Sequence, residues 1–466
     1  MFENLLSQPA GDQLRDDLSN NVLPPALLFA GPPASGKGTA ALELARVLSC
    51  EDIPAKAEGA LLTGRATWRC QCPACSRHRL LEHPDLLIMG RRDFASELRA
   101  SADAWRREGS QATRFLFKRA IGKLLARFSP VLWEGEEQKL GKAASLVGDI
   151  RELTEELDLL REERGDKVDK LLDKLLQSAL SLESGFVPAT VPISWIRNAA
   201  WWARSTPFGR HKTIFIEEVD RLQEGSRNAL LKILEEPPET CTLILSSSRR
   251  HAVMETILSR VRCYRFLPRS LPQEVEVVSR IFKAPDEATS PAFSGLSAWL
   301  EGFMPVSPDL LKSLAAVFVL SVFDELALGS PGRHRSASAF ISLLSSSLER
   351  NMSLSRLSLP SNPHAAVALV LEKSGKFEPR SLYARFLAAI LDTLTPALRL
   401  PQGGPLALSL AEGWKGIVQQ SEAAVLTYNQ SPPQALDALF FDLYSSLSRT
   451  LAIPSLYPEP SSCVPS

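Results

Sequence analysis

The chain has 466 residues, 45% of them apolar, and its 53 basic residues balance its 53 acidic ones. That length supports about three domains with cores of their own, and a net charge of zero argues against a protein that coats nucleic acid while leaving room for a local basic patch. No apolar run reaches the roughly eighteen residues of a membrane span, so no membrane partner is expected.

The opening segment MFENLLSQPAGDQLRDDLSNN is polar and contains acids. It lacks the basic and apolar regions of a secretory signal, and the cytoplasm is the expected location. PPALLFA (24–30) reads as a short buried strand, and GPPASGKGT and the helically spaced AALELARVLS follow it. Strand, glycine-containing loop and helix in that order fit the phosphate-binding pattern G-x-x-x-x-G-K. Gly31 and Gly36 let the backbone curl so that its N–H groups converge on phosphates, and Lys37 supplies charge to the β- and γ-phosphates of ATP. The hydroxyl expected directly after the lysine to hold Mg²⁺ is replaced by Gly38 and comes one residue later, at Thr39.

Cys70, Cys72 and Cys75 form a tight cluster within seven cysteines in all. An odd count and such a cluster point to a metal in a reducing compartment rather than to a disulfide scaffold. HPDLLIMG (83–90) is a second strand candidate.

From about 91 to 190 the strand pattern is interrupted. Basic residues crowd AWRREGSQATRFLFKRAIGKLLARF and acidic ones DIRELTEELDLLREERGDKVDKLLDKLL, the latter with apolar residues at three-and-four spacing. This predicts an inserted helical hairpin with arms of complementary charge, either a solvated structural insertion or a nucleic-acid- or partner-binding arm.

HKTIFIEEVD (211–220) is a third strand and CTLILSSS (241–248) a fourth, with the helix SRNALLKILEE between them. Strands alternating with helices predict an α/β fold, a parallel sheet covered on both faces. An ATPase of this kind needs acids at the end of a neighbouring strand. Glu217 would order the magnesium, one methylene longer than the usual aspartate, and Glu218 would polarise the attacking water. Ser247, at the end of the fourth strand, is the candidate γ-phosphate sensor. After RFLPRS (265–270) no strand signal remains, and the rest reads as helices broken by loops such as LGSPGRHRS, up to a frayed tail, YPEPSSCVPS.

The run from Lys212 to Arg260 resembles the AAA+ clamp-loader subunits of bacterial DNA polymerase III. NALLKILEEPP (228–238) and TILSRV (256–261) carry the likeness, supported by MFENLLSQ, HPD and ISWIRNAAWWARSTPFGRHKTIFIEE, over about residues 1–90 and 190–265. The opening without a LARKYRP-like segment suggests the delta-prime subunit, with the gamma/tau motor subunit as the alternative. The resemblance implies an AAA+ domain (1–265), a helical lid (266–345) in which Arg333 is a candidate second sensor, and a helical collar (346–466) that holds a hetero-oligomer together. It implies ATP and Mg²⁺ as cofactors. The expected partners are other loader subunits, the sliding clamp and primed DNA. It also implies that Arg260 is an arginine finger reaching a neighbour's ATP, with Val261 in place of the family's cysteine.

Cys50, Cys70, Cys72 and Cys75 resemble the family's four-cysteine zinc module, with the longer spacing C-x19-C-x-C-x2-C. Four thiolates around Zn²⁺ remain feasible, because a long first loop is an entropic cost only. The tight C-x-C step leaves His78 as an alternative to Cys70. Cys241, Cys263 and Cys463 read as packing or tail residues. Two other readings compete: an independent nucleotide kinase, suggested by GKGT, and a binding scaffold without ATP chemistry.

Overall fold

The structure, a computed structural model, describes residues 1–53, 66–160, 165–188, 190–304, 306, 308–329, 379–394, 404–426 and 430–450. Contacts divide it into two compact units, Met1–Phe303 and Met304–Ser466. Arg333 and Cys463 lie outside the described residues, as does the expected boundary between lid and collar at 345/346.

The first unit is built on a parallel sheet of β1 (Ala26–Ala30), β2 (Leu86–Gly90), β3 (Lys212–Glu217), β4 (Cys241–Ser247) and β5 (Arg262–Arg265), in the order β2-β3-β4-β1-β5. Every residue of β1, β3 and β4 is buried. Successive side chains of a strand point to opposite faces, so both faces are covered, which is why these strands read as continuous apolar runs. The four anticipated strands are all present. The fifth, Arg-Cys-Tyr-Arg, was not anticipated. Among the described residues it is an edge strand that pairs with β1 alone, buries Tyr264 and exposes both arginines. Charged edge strands discourage pairing with other chains, and the same charges hide the strand from a search for apolar runs.

Two helices precede β2's neighbourhood: α1 (Pro9–Ser19) and α2 (Lys37–Leu48), the latter packed on β3 and β4. A short α3 (Pro73–Leu80) leads into β2. Among the described residues the insertion holds four α-helices rather than two: α4 (Ala95–Glu108), α5 (Gln111–Leu125), α6 (Glu137–Leu159) and α7 (Asp166–Phe186). α4 pairs with α5 and α6 with α7, and α7 also packs on α4 and α5. The complementary charge lies between these pairs. Arg106 of α4 meets Asp169 and Asp173 of α7 at 3.6 and 2.5 Å, and Lys118 of α5 meets Asp158 of α6 at 2.5 Å. α8 (Ile193–Arg204) returns the chain to the sheet, packing on β3.

α9 (Glu224–Glu235) joins β3 to β4, and the one-turn α10 (Glu255–Leu258) precedes β5. Beyond β5, α11 (Leu271–Ile281) starts with a capping box between Ser270 and Gln273. It packs with α12 (Pro285–Thr289) and α13 (Leu296–Glu301) through Val278, Phe282 and Leu296.

The second unit is all-helical among the described residues. The helices Pro308–Gly329, Pro379–Leu394, Gly404–Leu426 and Pro432–Thr450 enclose a core that includes Phe318, Phe386, Trp414 and Leu443. No described helix is long and apolar enough to cross a membrane.

Candidate functional site

The loop between β1 and α2 takes the course that its glycines require. Gly36 has φ +98°, a left-handed conformation open to glycine, and α2 begins at the next residue, Lys37. A Cβ on Gly31 would collide with the carbonyl oxygen of Phe266, so the loop passes directly under the segment that leaves β5. Lys37 is buried, and its Nζ donates to the Gly31 and Pro32 carbonyls at 2.6 Å each and to Ser248 Oγ at 3.4 Å. Burial lowers its pKa to about 8, against the pull of Glu218, Glu217 and Asp220. Arg269 braces the loop from outside, donating to the carbonyls of Ala34 (2.5 Å) and Leu6 (3.1 Å). Gln8 bonds both backbone groups of Leu267. The N-terminal segment and the approach to α11 are thereby tied to the phosphate loop.

The sheet order brings the ends of β2, β3 and β4 beside this loop. Gly90 has φ +112°, and a Cβ there would collide with the backbone of Glu217. This close approach carries the chain past Glu217 to Arg92, whose Nη1 donates to Glu217 Oε1 at 2.7 Å. Glu217 Oε2 accepts from Arg127, which is fully buried just after α5. Arg92 is held in turn by Glu97, at 2.6 Å from Nη2, and Glu97 also meets Lys123. Burial alone would raise the pKa of Glu217, but the charges of Arg92 and Arg127 outweigh it and hold the carboxyl below its usual range.

Glu218 takes a left-handed φ of 52°, and its Oε1 accepts from Ser248 Oγ at 2.9 Å. Ser247 is fully buried; its Oγ donates to Asp220 Oδ1 at 2.7 Å and accepts from the backbone of Arg249. The hydroxyl that bridges Glu218 and Lys37 is thus Ser248, the next residue. Sequence reading passed over Ser248, Arg92, Arg127 and Arg269. Only Ser248 left a signal, the repeated hydroxyls of SSS; the arginines acquire their roles from sheet order and from the insertion.

Three of the positions expected to serve Mg²⁺ do not present it a free oxygen. Gly38 offers no oxygen. Thr39 is exposed and lies about 100° round the helix from Gly38. Both oxygens of Glu217 are committed to guanidinium groups. The loop and Lys37 retain the means to hold phosphates; Glu218 and Asp220 are the carboxylates beside Lys37 that are not paired with Arg92 or Arg127.

The sulfur atoms of Cys50, Cys70, Cys72 and Cys75 all lie within 4.8 Å of one another. Cys50 Sγ is 3.8 Å from Cys70 Sγ and 4.0 Å from Cys72 Sγ. Zinc bonded to four thiolates at ~2.3 Å needs sulfurs about 3.8 Å apart, so the cluster fits that ion. Arg46, itself buried, donates to Cys75 Sγ at 3.1 Å and to both oxygens of Glu43. A fixed cation here offsets part of the charge of a tetrathiolate site and orients its ligand. His78 is not in the group. It stacks on His83 with ring centroids 4.2 Å apart, and burial first, then His83, Arg46 and Arg119, lower its pKa to about 2.

Arg260 is exposed after α10. It donates to Thr256 O (2.9 Å) and Ser259 Oγ (3.2 Å) and pairs with Glu235 at 2.9 Å. The register sets Arg262 beside Leu27, at the start of β1, whereas the phosphate loop leaves the far end of that strand at Gly31. At about 3.3 Å per residue, Arg260 lies at the opposite end of the sheet from its own loop, on the order of 13 Å away along the strand.

A family model described as "DNA polymerase III, delta subunit" matches residues 177–270. DNA polymerase III subunit tau of Bacillus subtilis (strain 168) is 32% identical over 134 residues, 26% of this chain and 23% of that protein. A replication factor C small subunit of Methanocella arvoryzae is 33% identical over 84 residues, 18% of this chain and 26% of that protein. DNA polymerase III subunit gamma of Buchnera aphidicola subsp. Baizongia pistaciae is 38% identical over 73 residues, 16% and 20% of the two chains. The chain thus spans about a quarter or less of the length of these relatives.

Proposed function

We propose that this chain, which belongs to the clamp-loader AAA+ family, is a subunit of a hetero-oligomeric DNA polymerase III clamp loader and lends Arg260 to ATP bound by a neighbouring subunit. The placement of Arg260 carries this reading. An arginine at the far end of the sheet cannot serve its own phosphate loop without dismantling β5, but it is exposed and can meet a neighbour. There its fixed charge would stabilise the γ-phosphoryl oxygens as charge develops on them. The chain binds ATP at its own loop, with Gly31, Gly36 and Lys37 around the phosphates and Ser248 between Lys37 and Glu218. The four cysteines hold a structural zinc that fixes the end of α2 against α3. Within the assembly the subunit helps place the sliding clamp on primed DNA.

Delta-prime is the subunit type this reading favours, because a motor subunit needs the acid at the end of β3 to order its magnesium and Glu217 is tied to two arginines. The gamma/tau reading draws on the names of the relatives matched. The test is co-expression with the other loader subunits of the same organism, followed by size-exclusion chromatography with light scattering. Entry into a complex at fixed stoichiometry is the expected result. A chain that stays alone and transfers phosphate from ATP to nucleoside monophosphates would be an independent kinase, and the clamp-loader role would fall.

A further inference from the structure

The guanidinium of Arg92 lies beside Gly38, the residue after the loop lysine, where the resemblance leads one to expect a magnesium-binding hydroxyl. We infer that Arg92 takes the part of the metal: the loop binds a nucleoside triphosphate without a divalent cation, with Arg92 as the positive group beside the β- and γ-phosphates. This rests on the reading of the loop as an ATP site.

The first support is distance. A Cβ built on Gly38 would lie 3.3 Å from Arg92 Nη1 and 3.6 Å from Glu217 Oε1. A magnesium ~2.1 Å beyond a hydroxyl oxygen on that residue would stand about 3 Å from the same Cβ. The guanidinium nitrogen occupies that shell. Glycine also gives it room, because a Cβ at position 38 would press on Arg92 Nη1 at 3.3 Å, while meeting Glu217 Oε1 at an ordinary contact distance of 3.6 Å.

The second support is that Arg92 is built in. Its Nη1 donates to Glu217, and its Nε and Nη2 donate to Glu97 Oε2 at 3.1 and 2.6 Å. Glu97 comes from the insertion, on α4, and is itself held by Lys123 of α5. These bonds use three of the five guanidinium N–H groups, and the side chain is still 26% exposed. Donors remain that can turn to phosphate oxygens without breaking the ion pairs.

The third support is charge. Arg92, Arg127 and Lys123 face the carboxylates of Glu97 and Glu217, an excess of one positive charge among these five groups, while Lys37 faces Glu218 and Asp220. A triphosphate complements the excess at Arg92. With both oxygens of Glu217 committed to arginines, the acid at the end of β3 is not free to order a metal, which favours retention of the bound nucleotide over its hydrolysis by this subunit.

The experiment is equilibrium binding of ATP to the full chain in two buffers, one with Mg²⁺ and one with EDTA, for the wild type and Arg92→Ala. Wild-type affinity is expected to agree within about threefold between buffers, and Arg92→Ala to weaken binding at least tenfold in EDTA. Tight binding in Mg²⁺ that drops tenfold or more in EDTA would overturn the metal-free inference and leave the ATP reading standing. No binding in either buffer would overturn both. Should Arg92→Ala fail to fold, as judged by its tryptophan fluorescence, the wild-type comparison between buffers still decides.

Discussion

Arg260 and Glu235 form an ion pair at 2.9 Å between the end of α9 and the turn before β5. Both side chains are well exposed, and such pairs are worth under about 1 kcal/mol. A neighbouring subunit's triphosphate can therefore take Arg260 from Glu235 at small cost. Arg260→Ala should fold, bind its own ATP as the wild type does and still enter the complex. Hydrolysis at the neighbouring site should fall by about 10³ or more, diluted in total turnover if other sites keep their own arginines. Single-turnover hydrolysis in the assembled complex checks this. Loss of the mutant chain's own ATP binding, with full activity of the complex, would mean that Arg260 acts within its own subunit.

Lys37 is the group on which nucleotide affinity should depend most, and its environment sets a pH dependence. Its pKa is lowered to about 8, chiefly by burial. Bound phosphate favours the charged ammonium and must raise that value, so binding takes up a proton wherever Lys37 is neutral in the free protein. Affinity should be level below pH 8 and fall as the pH rises beyond it. Lys37→Ala should weaken ATP binding at least tenfold, about 1.4 kcal/mol, and flatten that decline. Titration with a fluorescent ATP analogue from pH 6.5 to 9.5 measures both effects; a mutant that binds as well as the wild type would make the loop vestigial.

The sheet and the loop were legible because they rest on short-range patterns. Apolar runs gave β1 to β4, and the glycine spacing gave the turn into α2 at Lys37. β5 escaped because an edge strand with Arg262 and Arg265 outward has no apolar run to show. The insertion announced its charges but not its partners. That Arg92 and Arg127 close over Glu217 follows from β2 lying beside β3 and from the path of the chain after α5, neither of which has a local signature. Cys70 was the doubtful ligand on spacing alone. Distance in space restores it to the cluster, because the chain folds back over Cys50 at the end of α2.

The cysteine cluster should carry about one zinc per chain when the protein is purified without added metal. Cys70→Ser should lose most of it, and His78→Ala should keep it, since His78 stacks on His83 away from the four sulfurs. Zinc bound by four thiolates contributes to folding directly, so a strong chelator should lower the melting temperature of the wild type and leave Cys70→Ser nearly unmoved. Elemental analysis reads the first outcome and calorimetry the second. Wild-type protein free of zinc, with four titratable thiols, would refute the site.

Arg127 tests whether the insertion is part of the nucleotide domain's own structure. Its guanidinium is fully buried, pairs with Glu217, donates to the Lys123 carbonyl at 2.9 Å and lies 5.0 Å from the ring centre of Phe94. Removing one member of a buried ion pair typically costs 3–5 kcal/mol, because the other is left uncompensated. Here Glu217 keeps Arg92, so Arg127→Met should cost about 3 kcal/mol. Adding Glu217→Gln to that variant should recover part of the loss, giving a coupling within the 0.5–3 kcal/mol seen for residues in contact. The pH dependence has a definite sign. Glu217 has a folded pKa below its unfolded one, so its contribution is present above the ordinary carboxylate value of about 4.3 and is lost as the pH falls through the folded value. Arg127→Met removes one of the two charges that depress it, and the variant should lose less stability than the wild type on acidification. Urea unfolding followed by tryptophan fluorescence, at pH 7 and in steps below pH 4, measures all three effects. Equal stability of the wild type and Arg127→Met at pH 7 would mean that the insertion's closure over Glu217 does not stabilise the domain.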